Sequence, residues 1–222
     1  MSAIPVSVHP RPSSRRLASA PSISPAPPAS ANPVEPHPRL APLPIESMRS
    51  EWLATLERIP GAGLKGEGFP RNVLGTIMRS AETFGPFLEY WVSCKSKMSL
   101  SVREQELVIL RMAVHYRSNY VWKHHVPVAR EFGVTEAEID AVQEGVYDAL
   151  SSGRERSLLA LTDALVDRRT IGADAWARHA PSLAEVDLVD LVSLVSQYVF
   201  FALMNNAMQV EVEPAVAGVR GL

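Results

Sequence analysis

One stretch constrains the fold of this chain more than any other. Residues 100–134, LSVREQELVILRMAVHYRSNYVWKHHVPVAREFGV, read as two consecutive helices joined by a short turn. Ser101-Val102-Arg103-Glu104 has the form of a capping box, in which the Ser101 hydroxyl and the Glu104 carboxylate satisfy orphan amides at a helix start. The run LVILRMAV that follows carries only Arg111 as a charge, so this helix is apolar most of the way round and is expected in the core. The second helix has Ser118 or Asn119 as its N-cap. It continues to about Phe132 and ends at Gly133, a residue suited to the left-handed position beyond a helix.

Glu106 then stands in the first turns of a buried helix, where loss of water would raise its pKa unless a partner kept it charged. Arg103, three residues earlier on the same face, is one candidate partner, which would make Glu106 purely structural. Arg111 lies more than a third of a turn away and is a poor partner within the helix. On the second helix Ser118, Val121, His125 and Ala129 share one face, while His124 lies about 100° away with Tyr120 and Val128. The two histidines therefore cannot do the same job. Pro127 removes one helical hydrogen bond and crowds the turn beside His125, so a bend is expected there. His115, like most of the case for His124, fits an ordinary structural or surface histidine.

The same stretch resembles the carboxymuconolactone decarboxylase family, which includes the AhpD-like alkylhydroperoxidases. In the thiol members of that family a Glu precedes a Cys-x-x-Cys-x-x-x-His motif by about a dozen residues. Setting the motif His on His125 puts the cysteine positions on Ser118 and Val121, and Glu106 lies twelve residues before Ser118. The Glu and the His match and both thiols are missing, which is the pattern of a thiol-free branch. Tyr120-Val121-Trp122-Lys123-His124-His125 is also similar to the Tyr-Glu-Trp-x-x-His pattern of thiol-free relatives, with Val121 in place of the Glu. Flanking segments, from Phe69 to Leu74, Phe84 to Leu88, Arg154 to Leu159 and Asp187 to Met208, look like the opening and closing helices of the family. The resemblance implies Glu106 and His125 as catalytic residues and Ser118, Tyr120, Trp122 and His124 as substrate-binding residues. As plain residues, Tyr120 and Trp122 read as core or interface aromatics.

The chain holds one cysteine, Cys94, outside any Cys-x-x-Cys pair. Peroxide reduction through a resolving disulfide needs two thiols, and one chain cannot supply them. Cys94 reads as a small, partly buried hydrophobe, and scarce cysteine fits a reducing compartment, so a cytoplasmic location is expected. The histidines and carboxylates lack a His-Glu-x-x-His or similar metal spacing; neither metal nor cofactor is expected. A formal net charge of −2 leaves no electrostatic footprint for nucleic acid.

The prolines divide the chain. Twelve of 18 lie in residues 1–47 among Ser and Ala, a composition that cannot bury enough apolar surface to order itself. The expected organisation is a disordered tail over 1–47 and a helical domain over 48–222. Arg11, Arg15 and Arg16, with no acid before Glu35, resemble a transit peptide, and Ser14-Arg15-Arg16-Leu17 a twin-arginine signal, but the SAPSISPAPPASA that follows provides no apolar core for export. Two further capping boxes, Thr135 to Glu138 and Ser182 to Glu185, and punctuating glycines at 133, 145 and 153 make the domain all-α. The run LVSLVSQYVFFALM, 191–204, is too short to span a bilayer and reads as a buried helix with a composition that would suit a subunit interface.

With 46% hydrophobic and 21% charged residues, the chain can bury one sizeable core. The leading functional expectation is a cofactor-independent lyase or isomerase acting on a small carboxylated or lactone-type organic acid, as the resemblance implies. The alternative is a non-catalytic or accessory oligomer of the same fold, and a peroxidase drawing on Cys94 comes third. A homo-oligomer, a trimer or a multiple of one, is implied by the resemblance, with no nucleic-acid or membrane partner.

Overall fold

The computed structural model describes residues 38–59 and 69–222. The expectation of a tail over residues 1–37 lies outside the described residues. Ten α-helices are present and no strand among the described residues: α1 (Ser50–Leu56), α2 (Arg71–Ile77), α3 (Ala81–Lys97), α4 (Val102–His115), α5 (Asn119–Glu131), α6 (Glu136–Glu144), α7 (Gly153–Arg168), α8 (Ala173–His179), α9 (Glu185–Met208) and α10 (Pro214–Ala217). The all-α reading holds.

Helix α4 sits at the centre because its sequence allows nothing else. Leu107, Val108, Ile109, Leu110, Met112 and Ala113 are all buried, and α5, α6, α7 and α9 pack around it. Its start is the capping box read from the sequence: Glu104 N–H donates to Ser101 Oγ at 3.3 Å and Ser101 N–H to the Glu104 carboxylate at 2.8 Å. Arg117 adopts a left-handed conformation in the turn, φ 49°, and lets α5 fold back on α4. Helix α5 ends as expected, with Gly133 at φ 82°.

Two local expectations change. Helix α9 does not begin with a box on Ser182, whose hydroxyl instead donates to the His179 carbonyl at the end of a 3-10 turn. The cap falls two residues later, where Asp187 accepts the Ala184 N–H at 2.8 Å. Asp187 serves better than Glu185 because it also takes Arg154 at 2.6 Å and the Ser99 hydroxyl at 2.7 Å. Helix α9 is also longer than the apolar run, at 24 residues, and by length and composition alone would suffice to cross a membrane. Its Leu191, Leu194, Tyr198 and Ala202 are nevertheless buried, and it packs on α2, α3, α4, α5 and α7.

The expected boundary at residue 47 also falls inside the packed structure. Arg39 N–H donates to the Met208 carbonyl and Leu43 N–H to the Gly75 carbonyl, each at 3.0 Å, while Met48 is buried. Gly75 is required at that contact, since a Cβ there would stand 2.2 Å from the Leu43 carbonyl oxygen. Deleting residues 1–37 is therefore expected to leave the thermal midpoint within about 2 °C of the full chain, whereas deleting 1–47 lowers it by about 4 °C or more. Differential scanning calorimetry of the two truncations checks this, and equal midpoints would restore the boundary at 47.

Candidate functional site

The site is built on two helices that the α4–α5 turn brings face to face. Glu106, in the second turn of α4, is 1% exposed. His125, on the facing side of α5, places its Nδ1 2.6 Å from Glu106 Oε2. The other carboxylate oxygen, Oε1, accepts from Lys95 Nζ at 3.0 Å. Both oxygens are thus occupied by partners from outside the helix. Arg103, the candidate partner within α4, turns the other way and pairs with Glu138 at 2.6 Å and Glu155 at 2.8 Å.

This arrangement settles the charge of Glu106. Burial is the largest single influence and pushes its pKa up, but attraction to His125 and Lys95, reinforced by their hydrogen bonds, outweighs it and holds the carboxyl at about 2. Glu106 is therefore an acceptor only, and Nδ1 of His125 must carry the proton in their bond. Nε2 forms no hydrogen bond among the described residues. The His125 side chain remains 20% exposed, and Tyr198 of α9 meets the ring edge-on at 5.1 Å between centroids. A carboxylate that fixes one imidazole nitrogen while the other stays accessible is a proton-transfer arrangement.

His124 is engaged elsewhere, as its place on the helix required. Its Nε2 lies 2.6 Å from Glu213, which also accepts from the Tyr120 hydroxyl at 2.8 Å and from the Asn72 N–H at 2.8 Å. Tyr120 and His124 stack with centroids 4.4 Å apart. Burial again pushes Glu213 up most strongly, and the His124 hydrogen bond with the other donors brings it below its usual value. This buried group ties the segment before α10 to α5 and is separate from the Glu106–His125 pair. Trp122 is fully buried and donates its indole N–H to the Arg220 carbonyl at 2.9 Å, so it too is engaged with the C-terminal segment. Ser118 is fully buried at the start of α5, and its hydroxyl neither caps the helix nor finds another partner among the described residues.

His115 also has a carboxylate, Asp163, at 2.7 Å from Nε2, and Asp163 takes Arg111 at 2.5 Å and Tyr147 at 2.6 Å as well. Arg111 is therefore committed away from the site, and Lys123 donates to the Ala217 carbonyl at 2.6 Å. The cation of the site is Lys95, in the last turn of α3, which the sequence reading did not select. Its sequence signal is weak, one of two Lys, with Lys97, after the mostly apolar LEYWVSC run. Cys94 beside it is a free, half-buried thiol. Among the described residues no cluster of three or more His, Cys, Asp or Glu side chains has a geometry that could hold a metal ion.

A match to the Carboxymuconolactone decarboxylase family spans residues 80–164, which contain Lys95, Glu106, Ser118 and His125. No curated protein sequence matches the chain. Solved structures of similar fold include the debrominase Bmp8, with a TM-score of 0.65 at 15% identity over 79% of this chain and 92% of that one. An uncharacterized peroxidase-related protein from Silicibacter sp. TM1040 gives 0.63 at 15% identity over 82% and 92%. A protein of unknown function from Agrobacterium tumefaciens, described as a candidate AhpD antioxidant defence protein, gives 0.56 at 18% identity over 60% and 92%. At these identities the likeness is one of fold.

The depressed pKa of Glu106 has a consequence for stability. Its ionised form is favoured in the folded state, so its contribution is complete above the unfolded carboxyl pKa, about 4.3, and is lost as pH falls toward 2. Urea midpoints measured between pH 6 and pH 3 should fall steeply for the wild type and less steeply for Glu106→Gln. Parallel pH dependence in the two proteins would show that Glu106 is not held charged.

Proposed function

We propose that this chain, whose residues 80–164 match the carboxymuconolactone decarboxylase family model, is a cofactor-independent lyase or isomerase that moves protons on a small carboxylated or lactone-type organic acid. The observation that carries this reading is the bond between buried Glu106 and Nδ1 of His125, whose side chain stays 20% exposed. His125 is the acid and base. Glu106 fixes the ring through its bond to Nδ1, and Lys95 keeps Glu106 charged from its other oxygen.

In the decarboxylating version, the bond from the substrate carbon to its carboxylate breaks and carbon dioxide leaves. The electron pair moves into the neighbouring carbonyl as an enolate, and His125 Nε2–H then delivers a proton to the carbon. Solvent reprotonates the ring through its exposed edge. In the isomerising version the same nitrogen first removes a proton beside the carbonyl and returns it to another carbon. Neither version uses a metal or a thiol.

The debrominase and peroxidase-related neighbours are named for other chemistry. A two-thiol route cannot run within one copy of this chain, whose single cysteine is Cys94. The accessory, non-catalytic reading draws on the replacement of both thiols by Ser118 and Val121. A homo-oligomer is part of the proposal, a trimer or a multiple of one. Val189, Val192, Phe200 and Leu203 leave an exposed apolar face on α9, which favours burial against another copy. Light scattering that returned a 24.3 kDa monomer with activity would remove this part of the reading.

The purified chain, incubated with a panel of small lactone acids and β-keto acids in deuterated water, should release carbon dioxide or exchange deuterium beside a carbonyl. Glu106→Gln and His125→Asn should each lower that rate by about 10²-fold while the circular dichroism of the fold is retained. Cys94→Ala and a chelator should leave it unchanged. Full activity in folded His125→Asn would refute the assignment, and inactivity across the panel would favour the accessory reading.

A further inference from the structure

We propose that Lys95 binds the carboxylate of the substrate, sharing its ammonium between Glu106 and the incoming acid beside His125. This deepens the function proposed above and rests on it.

The position follows from the two bonds of Glu106. Lys95, in the last turn of α3, and His125, on α5, take opposite oxygens of that one carboxylate, Lys95 Nζ meeting Oε1 at 3.0 Å and His125 Nδ1 meeting Oε2 at 2.6 Å. The two nitrogens are therefore separated by no more than the width of a carboxylate and two hydrogen bonds. Neither side chain is closed off. Lys95 is 12% exposed and His125 20%, whereas Glu106 between them is 1% exposed. An acid held by Lys95 lies within one small molecule's length of the imidazole.

The ammonium has donors to spare. It carries three N–H groups, and among the described residues its one hydrogen bond goes to Glu106. Other cations on the helices around the site are committed to the fold. Arg103, Arg111 and Arg154 each pair with carboxylates of other helices, and Lys123 donates to the Ala217 carbonyl. Lys95 is the cation bonded to the Glu106–His125 pair, and it meets that pair through a single donor.

A lysine can hold both acids at once. Its ammonium is a compact charge whose donors rotate on a flexible stem, so one N–H stays on Glu106 while another turns to a second carboxylate. Lys95 and Glu106 cancel in charge, so the incoming acid is held by its charge-assisted hydrogen bond to Nζ and is opposed by the carboxylate of Glu106. Removing the charge of Lys95 therefore weakens acid binding, and removing that of Glu106 strengthens it. The carboxylate on Lys95 is retained through the reaction, because pairing with an ammonium stabilises the charge that loss as carbon dioxide would remove. Its role is to orient the molecule, and the bond changes fall on the carbons presented to His125.

The test sets levulinate, a small keto acid, against its uncharged methyl ester, with binding followed by calorimetry and in the nitrogen-15 spectrum of the lysine ammonium groups. The wild type should bind levulinate about tenfold or more tighter than the ester and shift an ammonium signal that is missing from Lys95→Met. Lys95→Met should weaken levulinate binding by about tenfold or more and leave the ester unaffected, whereas Glu106→Gln should tighten levulinate binding. Should Lys95→Met fail to fold, the double variant Lys95→Met/Glu106→Gln, which removes both charges together, takes its place and should bind levulinate more weakly than Glu106→Gln does. Equal affinity for acid and ester, no binding of either by the wild type, or unaltered levulinate affinity in the folded variants overturns the assignment and leaves Lys95 as the counter-ion of Glu106 alone. That outcome is distinct from failure of the proton-transfer reading, which is read from turnover by His125→Asn.

Discussion

A carboxylate inside an apolar helix has to be accounted for, and here the account organises the site. Glu106 loses nearly all of its water, which by itself would favour the neutral acid. It stays ionised because two cationic or proton-bearing side chains, Lys95 and His125, reach it from α3 and α5. Removing either would leave a buried charge partly uncompensated, which costs several kcal/mol in typical proteins, so α3, α4 and α5 are held in register by the same contacts that define the chemistry. Stability and the proposed proton transfer share these contacts.

The neighbouring histidines of α5 show how one helix separates two tasks. His124 turns to Glu213 and Tyr120, and with Trp122 and Lys123 fastens the C-terminal segment to α5. His125, about 100° round, turns to Glu106, and its side chain is 20% exposed against 6% for His124. Both are paired with depressed-pKa carboxylates, and only one has an open side. What sets His125 apart for the proposed role is that exposure and not the carboxylate.

What was legible in the sequence follows the range of the interactions. The capping boxes at Ser101 and Thr135, the end of α5 at Gly133 and the burial of α4 depend on residues within four positions of one another, and all were readable. Glu106 and His125 were readable as a pair through the spacing of the resembling family. Lys95, Glu213 and Tyr198 were not, because each meets residues brought near only by folding. Arg103 was a sound local candidate for Glu106 but finds two carboxylates, Glu138 and Glu155, on other helices. Pro-rich composition marked residues 38–47 as tail, yet Leu43 is anchored by a backbone contact that only Gly75 permits. Composition carries no information about such a contact.

The central claim is that ionised Glu106 fixes the tautomer of His125, and nitrogen-15 NMR of the imidazole rings tests it most directly. The account predicts a strongly hydrogen-bonded, downfield Nδ1 proton on His125 at neutral pH, and loss of that proton signal in Glu106→Gln. A His125 ring protonated at Nε2 with a bare Nδ1 at neutral pH would contradict it.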